Sequence, residues 1–271
     1  MSPRITFPLL LILLGIQLLA AAALIKHPQT QPLINLAVAA ILWLYVIRHR
    51  HNHWLGFLTL TLIWMVFPLL KPINTTWLTW HADALLTRID QTLWGGSILP
   101  AYFHYEAHPV LTDILVICYF CFFFIIIGSA AYYTVRRHSQ QAHAYYNGLL
   151  ALYLIGLIGY FALPAAGPAF TTMPDQGTPG LIAPTLIAII KDGVTGMDVF
   201  PSLHTAISLY INLFLWRDGK KCLAIALAPI TLGIIAATIY LRYHYGIDVL
   251  VGSALALYIT YRTAPQLKEF T

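Results

Sequence analysis

Residues 110–135 read VLTDILVICYFCFFFIIIGSAAYYTV, and Asp113 is the one charged residue in this run. An α-helix of about 20 apolar residues crosses the hydrocarbon core of a bilayer while satisfying its own backbone hydrogen bonds. The run therefore predicts a membrane-spanning helix, and it indicates the class of fold to expect in the rest of the chain.

The composition agrees with a protein whose main solvent is lipid. Only 9% of the 271 residues are charged and 59% are apolar, whereas about a quarter of the residues in a soluble domain are charged. The expected fold is an all-α, polytopic bundle of transmembrane helices. Its spans, about eight in number, are predicted at residues 7–25, 33–47, 54–70, 110–135, 145–163, 201–216, 222–240 and 245–261.

The loops between these spans predict how the chain is oriented. Lys and Arg are concentrated in two short turns, at residues 136–138 and 217–221, and such turns lie on the cytoplasmic side. The N-terminus is then cytoplasmic, and the long loops at 71–109 and 164–200 lie outside. The first span is longer than the core of a signal peptide, so we expect a retained anchor. The predicted units are N-terminal helices at 1–53, a membrane domain at 54–262 and a cytoplasmic tail at 263–271.

A different kind of helix is predicted within the first long loop. At helical spacing, one of its faces is apolar and comprises Leu78, Leu85, Leu86, Ile89 and Leu93. The opposite face comprises Asp83, Thr87, Asp90 and Gln91. This pattern predicts an amphipathic helix that lies along the membrane surface. The helix either supports a lid structurally or faces a substrate, and the sequence leaves both roles open.

Two other classes of function are disfavoured by the sequence. The net charge of +5 comes from short basic clusters between apolar runs, so no nucleic-acid partner is expected. Cys118 and Cys121 have CxxC spacing, but no second pair completes a zinc site. We expect neither a metal ion nor a cofactor.

The residues that can carry chemistry lie at the ends of the last spans. Phe200-Pro201-Ser202-Leu203-His204-Thr205 opens the sixth span. Proline suits the first turn of a helix, and the free backbone amides of a helix N-terminus form a site for an anion. Ser202 and His204 are therefore candidates for contact with an anionic substrate.

A second histidine follows after two predicted membrane crossings, which return it to the face where His204 lies. His244 and Asp248 are four residues apart, a spacing that stacks them on one face of a helix. Asp248 can then accept a hydrogen bond from one imidazole nitrogen and leave the other free to attack. Each residue alone is also compatible with a polar cap. Ionisable groups gathered at one membrane depth, however, favour a functional interpretation.

These residues resemble the signatures of the type 2 phosphatidic acid phosphatase (PAP2) superfamily, and in particular its inositol phosphorylceramide synthase-like phosphotransferases. Pro201-Ser202-Leu203-His204 is similar to the second signature of the family, with Leu203 in place of the usual glycine. The run from Tyr240 through His244 to Asp248 and Gly252 is similar to the third. The resemblance implies a six-helix core within the membrane domain.

The resemblance also implies a metal-independent phosphatase or phosphotransferase with its site on the extracytoplasmic face. His244 would attack phosphorus and form a phosphohistidine, and Asp248 would orient His244. His204 would protonate the leaving group and then activate the acceptor. The expected partners are membrane lipids, with a phospholipid or related lipid phosphate as substrate and water or an alcohol such as a polyol as acceptor.

The chain departs from the family pattern in its positive charge. Thr238 stands where the family has an arginine, and residues 163–168 replace the first signature without either of its cations. Phosphoryl transfer depends on fixed charge around the phosphate oxygens, so Ser202, Arg242 and Lys191 are the candidate phosphate-binding residues. The depletion favours a lipid phosphodiester, which carries one charge fewer than a monoester.

Two alternatives remain open at this point. A catalytically inactive scaffold would keep the fold without the activity, as the weakened first signature allows. A transporter would carry charges near the middle of several spans, whereas the ionisable residues here cluster at the ends of the spans.

Overall fold

The computed structural model describes residues 3–48, 54–104, 107–136, 140–174 and 179–263. These residues fold into helices and connecting loops, and no strand occurs among them. The predicted all-α class is therefore confirmed. The α-helices are, in chain order, α1 Pro3–Lys26, α2 Thr30–Arg48, α3 Leu55–Val66, α4 Leu70–Trp77, α5 Asp83–Leu93, α6 Pro109–Val135, α7 Gln140–Ala162, α8 Ala183–Gly193, α9 Leu203–Arg217, α10 Lys221–Tyr240 and α11 Gly246–Thr263.

Within the described residues, six helical stretches are long and apolar enough to cross a membrane. They are α1, α2, α3 continued by α4, α6, α7 and α10. The two other predicted spans form helices as well, but α9 has only 15 residues. At about 1.5 Å per residue it is shorter than a hydrocarbon core of about 30 Å. The predicted tail beyond Thr263 lies outside the described residues.

The surroundings of α9 and α11 explain why these helices differ from the others. The two pack against each other, and α9 also packs along α10, so protein rather than lipid surrounds much of their surface. In α9, Ile207, Tyr210, Ile211 and Phe214 are completely buried. A helix enclosed in this way can carry polar residues on the faces that meet other helices. Of the two helices, α9, which carries His204, is the more enclosed, whereas α11 also has an exposed face that includes Leu257 and Tyr261.

The predicted amphipathic helix is present as α5, but its polar face packs against protein. Asp83 and Asp90 are buried, whereas Leu85 and Leu93 are about half exposed. On a helix that lies along a membrane surface, the polar face would instead meet water. The difference arises because periodicity defines the two faces without showing what covers each. The carboxylates of α5 accept hydrogen bonds from neighbouring backbone, which agrees with a supporting role.

The second long loop contains a helix that the sequence did not predict. Asp113, at the start of α6, accepts hydrogen bonds from the N–H groups of Leu181, Ile182 and Ala183 at 2.8–2.9 Å. Since these groups precede or open α8, one carboxylate satisfies donors that the helix itself cannot pair. Asp113 thereby ties α8 to α6 beside the candidate site.

Candidate active site

The three predicted catalytic side chains lie together at one end of the helix bundle. His204 is the second residue of α9, His244 lies in the turn between α10 and α11, and Asp248 is in the first turn of α11. The centroids of the two imidazole rings are 6.1 Å apart. The Nδ1 atom of His244 lies 3.5 Å from Oδ2 of Asp248. Both His244 and Asp248 are almost completely buried.

The start of α9 is organised by Ser202. Its Oγ accepts a hydrogen bond from the N–H of Thr205 at 3.3 Å and donates one to the Thr205 hydroxyl at 3.1 Å. Serine is among the residues preferred at the N-cap, so the helix begins at Leu203, two residues later than the predicted span. Ser202 is fully buried and its hydroxyl is used for capping. Its predicted role in binding phosphate stays a prediction.

The turn that carries His244 is shaped by backbone hydrogen bonds. The N–H groups of Tyr243 and His244 both donate to the carbonyl oxygen of Thr238 at 3.0 Å. The Tyr245 N–H donates to Oδ2 of Asp248 at 2.9 Å, as a first-turn acid does in a capping box. His244 therefore precedes α11, and the predicted stacking of His244 and Asp248 on one helix face is wrong. The fold of the turn makes their contact instead.

Backbone also joins the two helix starts directly. The Ser202 N–H donates to the carbonyl oxygen of Asp248 at 3.2 Å. Because Ser202 caps the helix of His204 and Asp248 contacts His244, this bond couples the positions of the two histidines.

Aromatic residues from α6 surround the ring of His204. Tyr119 stacks on it with ring centroids 4.5 Å apart, and the ring centroid of Phe122 lies at 4.2 Å. Its Nε2 atom is buried and has no hydrogen-bond partner within the described part of the chain. The neighbouring Leu203 packs against Gly156 of α7, where a Cβ would lie 2.6 Å from a Leu203 methyl carbon. Gly156 thus makes room for the Leu203 side chain.

The segment that stands for the first signature lies against the turn of His244. Asp83 accepts hydrogen bonds from the N–H groups of Ala166 and Gly167 at 3.0 and 2.9 Å, and from the Tyr245 hydroxyl at 3.0 Å. Gly167 has a φ of +93°, and a Cβ there would collide with the Tyr243 carbonyl oxygen. Only glycine fits this approach. The segment is therefore held beside the turn of His244 by Asp83 and by the close approach of Gly167.

The two candidate cations occupy different environments. Arg242 lies two residues before His244, is 6% exposed and has a φ of 63°. Its carbonyl oxygen accepts a hydrogen bond from the Ala169 N–H at 2.7 Å. Lys191 is exposed in the last turn of α8. Phosphate binding by either residue stays a prediction.

A cavity of about 460 Å³ opens beside His204. Its walls come mainly from aromatic and aliphatic side chains of α3, α6, α7 and α8. Asp198, in the loop between α8 and α9, lines the cavity as well. Burial raises the pKa of its carboxyl, while hydrogen bonds, first that from Thr195, oppose the rise. Sequence reasoning did not select Asp198, although a carboxylate six residues before His204 in an apolar stretch was a usable signal.

Within the described residues, no group of three or more His, Cys, Asp or Glu side chains is placed to hold a metal ion. The expectation of a metal-independent site stays a prediction that activity measurements have to test.

Comparison with models of known protein families gives a match. The family model described as the PAP2 superfamily matches residues 83–262, which include α5 to α10, most of α11 and every candidate site residue. No curated protein matches the chain significantly. No solved structure matches it significantly.

Proposed function

This chain belongs to the PAP2 superfamily, whose model covers well over half of its length, and on that basis we propose that it is a membrane-embedded lipid phosphatase or phosphotransferase. Membership and the six membrane-compatible helices indicate a phosphatase-type membrane fold. The proposed substrate is a phospholipid or related lipid phosphate, which reaches the site from the surrounding bilayer. The proposed site lies on the extracytoplasmic side, as the distribution of Lys and Arg in the short turns favours.

One observation carries the proposal: two imidazole rings lie 6.1 Å apart, and a buried carboxylate contacts one of them. Nδ1 of His244 faces Asp248, so Nε2 is the nitrogen available for attack. In the proposed mechanism, Nε2 forms a bond to phosphorus while the bond from phosphorus to the leaving oxygen breaks. His204 gives its proton to that oxygen, and Asp248 stabilises the positive charge on His244.

The second half of the reaction reverses these roles. His204 removes a proton from water or an alcohol, whose oxygen attacks phosphorus as the nitrogen–phosphorus bond breaks. The positive end of the α9 dipole, beside His204, supports the charge that develops on the phosphoryl oxygens. Arg242 is the proposed cation for the same group, and Ser202 and Lys191 are the further candidates. The small number of cations favours a phosphodiester, as in transfer by the inositol phosphorylceramide synthase-like branch.

The proposal is tested by trapping the covalent intermediate. Purified protein is mixed with lipid phosphate radiolabelled at phosphorus, quenched, and assayed for protein-bound label that is stable to alkali and lost in acid. His244→Ala should abolish the label. His204→Ala should still form the label from para-nitrophenyl phosphate, whose leaving group needs no proton, but should release it slowly. His27→Ala, an exposed histidine between α1 and α2, is the control.

The possible outcomes separate the alternatives. Full turnover by His244→Ala would contradict the covalent role of this residue. A native protein that neither takes up label nor releases phosphate from any lipid of a panel would be an inactive scaffold. Inositol or another polyol added to the active protein distinguishes the two enzyme classes. Hydrolysis yields free phosphate from a monoester or a phosphate monoester of the headgroup from a diester, whereas transfer yields a phosphate ester of the added polyol.

A further inference from the structure

The cavity beside His204 is asymmetric with respect to the two histidines. His204 and Leu203 contribute to its wall, whereas His244 is not among the described residues that line it. Under the proposed mechanism His244 holds the phosphoryl group and His204 exchanges a proton with the alcohol. The cavity therefore opens beside His204, the residue that meets the alcohol in the proposed mechanism.

The walls of the cavity suit a hydrocarbon chain. Trp64, Phe67, Phe120 and Phe123 contribute rings, and Ile190 adds an aliphatic side chain. The volume, about 460 Å³, falls within the range of about 300–1,000 Å³ that is usual for small-molecule sites. Since α3 and α6 are among the membrane-compatible helices, the cavity lies between elements that lipid contacts. Its chemistry fits an apolar occupant that comes from the bilayer.

The wall of the cavity also includes two polar residues, Asp198 and His204. The loop of Asp198 and the end of α8 that precedes it are anchored to α4. Asn74 donates a hydrogen bond to the Thr195 carbonyl oxygen at 3.0 Å, and Lys71 donates one to the Asp192 carbonyl oxygen at 2.9 Å. A fixed carboxylate repels a phosphate but accepts a hydrogen bond from a hydroxyl. Asp198 therefore matches the alcohol and not the phosphoryl group.

Resting on the proposed function, we propose that this cavity binds the lipid alcohol of the reaction, with its chain among the aromatic side chains and its hydroxyl between His204 and Asp198. When the bond between phosphorus and the lipid oxygen breaks, His204 supplies the proton of the new hydroxyl. That hydroxyl then donates its hydrogen bond to the Asp198 carboxylate. A lipid alcohol that acts as acceptor occupies the same place, and its proton passes to His204 as its oxygen attacks.

The first test measures kcat/KM in detergent for a series of alkyl phosphates, from methyl to dodecyl phosphate. A chain that enters the cavity should raise kcat/KM by roughly three- to fourfold per methylene until the cavity is full. Gly193→Phe should flatten the series, because Gly193 lines the cavity and a Cβ there meets no neighbour within 4 Å. Gly128→Phe, at an exposed glycine of α6 that is equally free of neighbours, should leave the series unchanged.

The second test measures inhibition of methyl phosphate hydrolysis by dodecanol. Asp198→Asn should weaken this inhibition by roughly three- to tenfold, because a neutral amide oxygen accepts a weaker hydrogen bond than a carboxylate does. Asp192→Asn, which changes an exposed carboxyl in the last turn of α8, should be inhibited as the native protein is.

The outcomes also separate this proposal from the catalytic one. The alcohol site would be overturned if kcat/KM of the native protein did not change with chain length, or if dodecanol inhibited Asp198→Asn and the native protein equally. Turnover that depends on the two histidines would be unaffected by either result. If no phosphohistidine forms, dodecanol binding can still be measured by its effect on the temperature of thermal unfolding. In that case stabilisation of the native protein, and none of Gly193→Phe, would support the cavity assignment, and equal stabilisation would overturn it.

Discussion

Gly252 passes so close to Ser202 that a Cβ on the glycine would lie 2.6 Å from the serine's carbonyl oxygen. This contact is where α11 crosses the start of α9. One helix carries Asp248 and the other carries His204, so the absence of a side chain at position 252 sets how closely the catalytic groups approach.

Gly252→Ala should therefore damage both stability and catalysis. The backbone of α9 has to move away from the new methyl group, and overpacking of this kind costs about 1–3 kcal/mol. A displacement of about 1 Å between catalytic groups lowers turnover by about a hundredfold. Thermal unfolding and kcat, both measured in detergent, give the two effects. Gly128→Ala is the matched control, and a Gly252→Ala protein with native kcat would show that the crossing does not position the histidines.

Asp248→Asn should keep the fold and lose the reaction. The asparagine oxygen can still accept the hydrogen bond from the Tyr245 N–H, but a neutral amide does not stabilise a charged imidazole. In the catalytic triad of serine proteases, the same change lowers kcat by about 10⁴-fold, and we expect a fall of about 10²- to 10⁴-fold here. Thermal unfolding of the variant and of the native protein, measured side by side, checks that the fold is kept. Native turnover in the variant would remove Asp248 from the mechanism.

Asp90→Ala should destabilise the protein strongly although Asp90 contacts neither histidine in the mechanism. Its buried carboxylate accepts hydrogen bonds from the N–H groups of Leu99 and Ile247, both at 2.8 Å, and from the Trp94 indole at 3.2 Å. Each donor left unpaired costs about 1–3 kcal/mol. A large fall in the unfolding temperature is expected, with a small one for the exposed Asp192→Ala. Equal temperatures for the two variants would contradict this account of α5.

Arg242 allows its backbone and its side chain to be tested separately. Its φ of 63° lies in the left-handed region, where a residue other than glycine is strained by about 1–2 kcal/mol. Arg242→Gly and Arg242→Ala both remove the guanidinium, but only glycine relieves the strain, so the glycine variant should be more stable by about 1 kcal/mol. Both should raise KM for the lipid phosphate to a similar extent. An unchanged KM would assign the phosphate charge to another group.

The sequence predicted the strongly apolar helices closely, because a membrane span has to meet limits on both length and polarity. The predicted span at 110–135 differs from α6, Pro109–Val135, by one residue at its start, and the span at 222–240 differs from α10 in the same way. The proximity of His204, His244 and Asp248 followed from counting membrane crossings between two motifs. Topology was sufficient for this proximity, whereas the four-residue spacing of His244 and Asp248 predicted a helical stacking that the turn before α11 replaces.

Features that depend on which surfaces meet could not be predicted in this way. The faces of α5 were correctly separated, yet the sequence could not show that the loop at Ala166 would cover Asp83, or that the first turn of α11 at Ile247 would cover Asp90. The helix α8 was not predicted because its start is capped by Asp113, which lies far away in the sequence. Asp198 became a candidate only when the cavity was seen to include it.

The packing of α9 and α11 against each other has a consequence for biogenesis. Helices that are short or moderately polar are poorly retained by lipid alone, so we expect these two to depend on neighbours that are already inserted. The active centre would then be completed only when the ribosome has released the last helix. A nascent chain that stops before Gly246 would already hold His204 and His244, but it would have neither Asp248 nor the helix that brings the two imidazoles together.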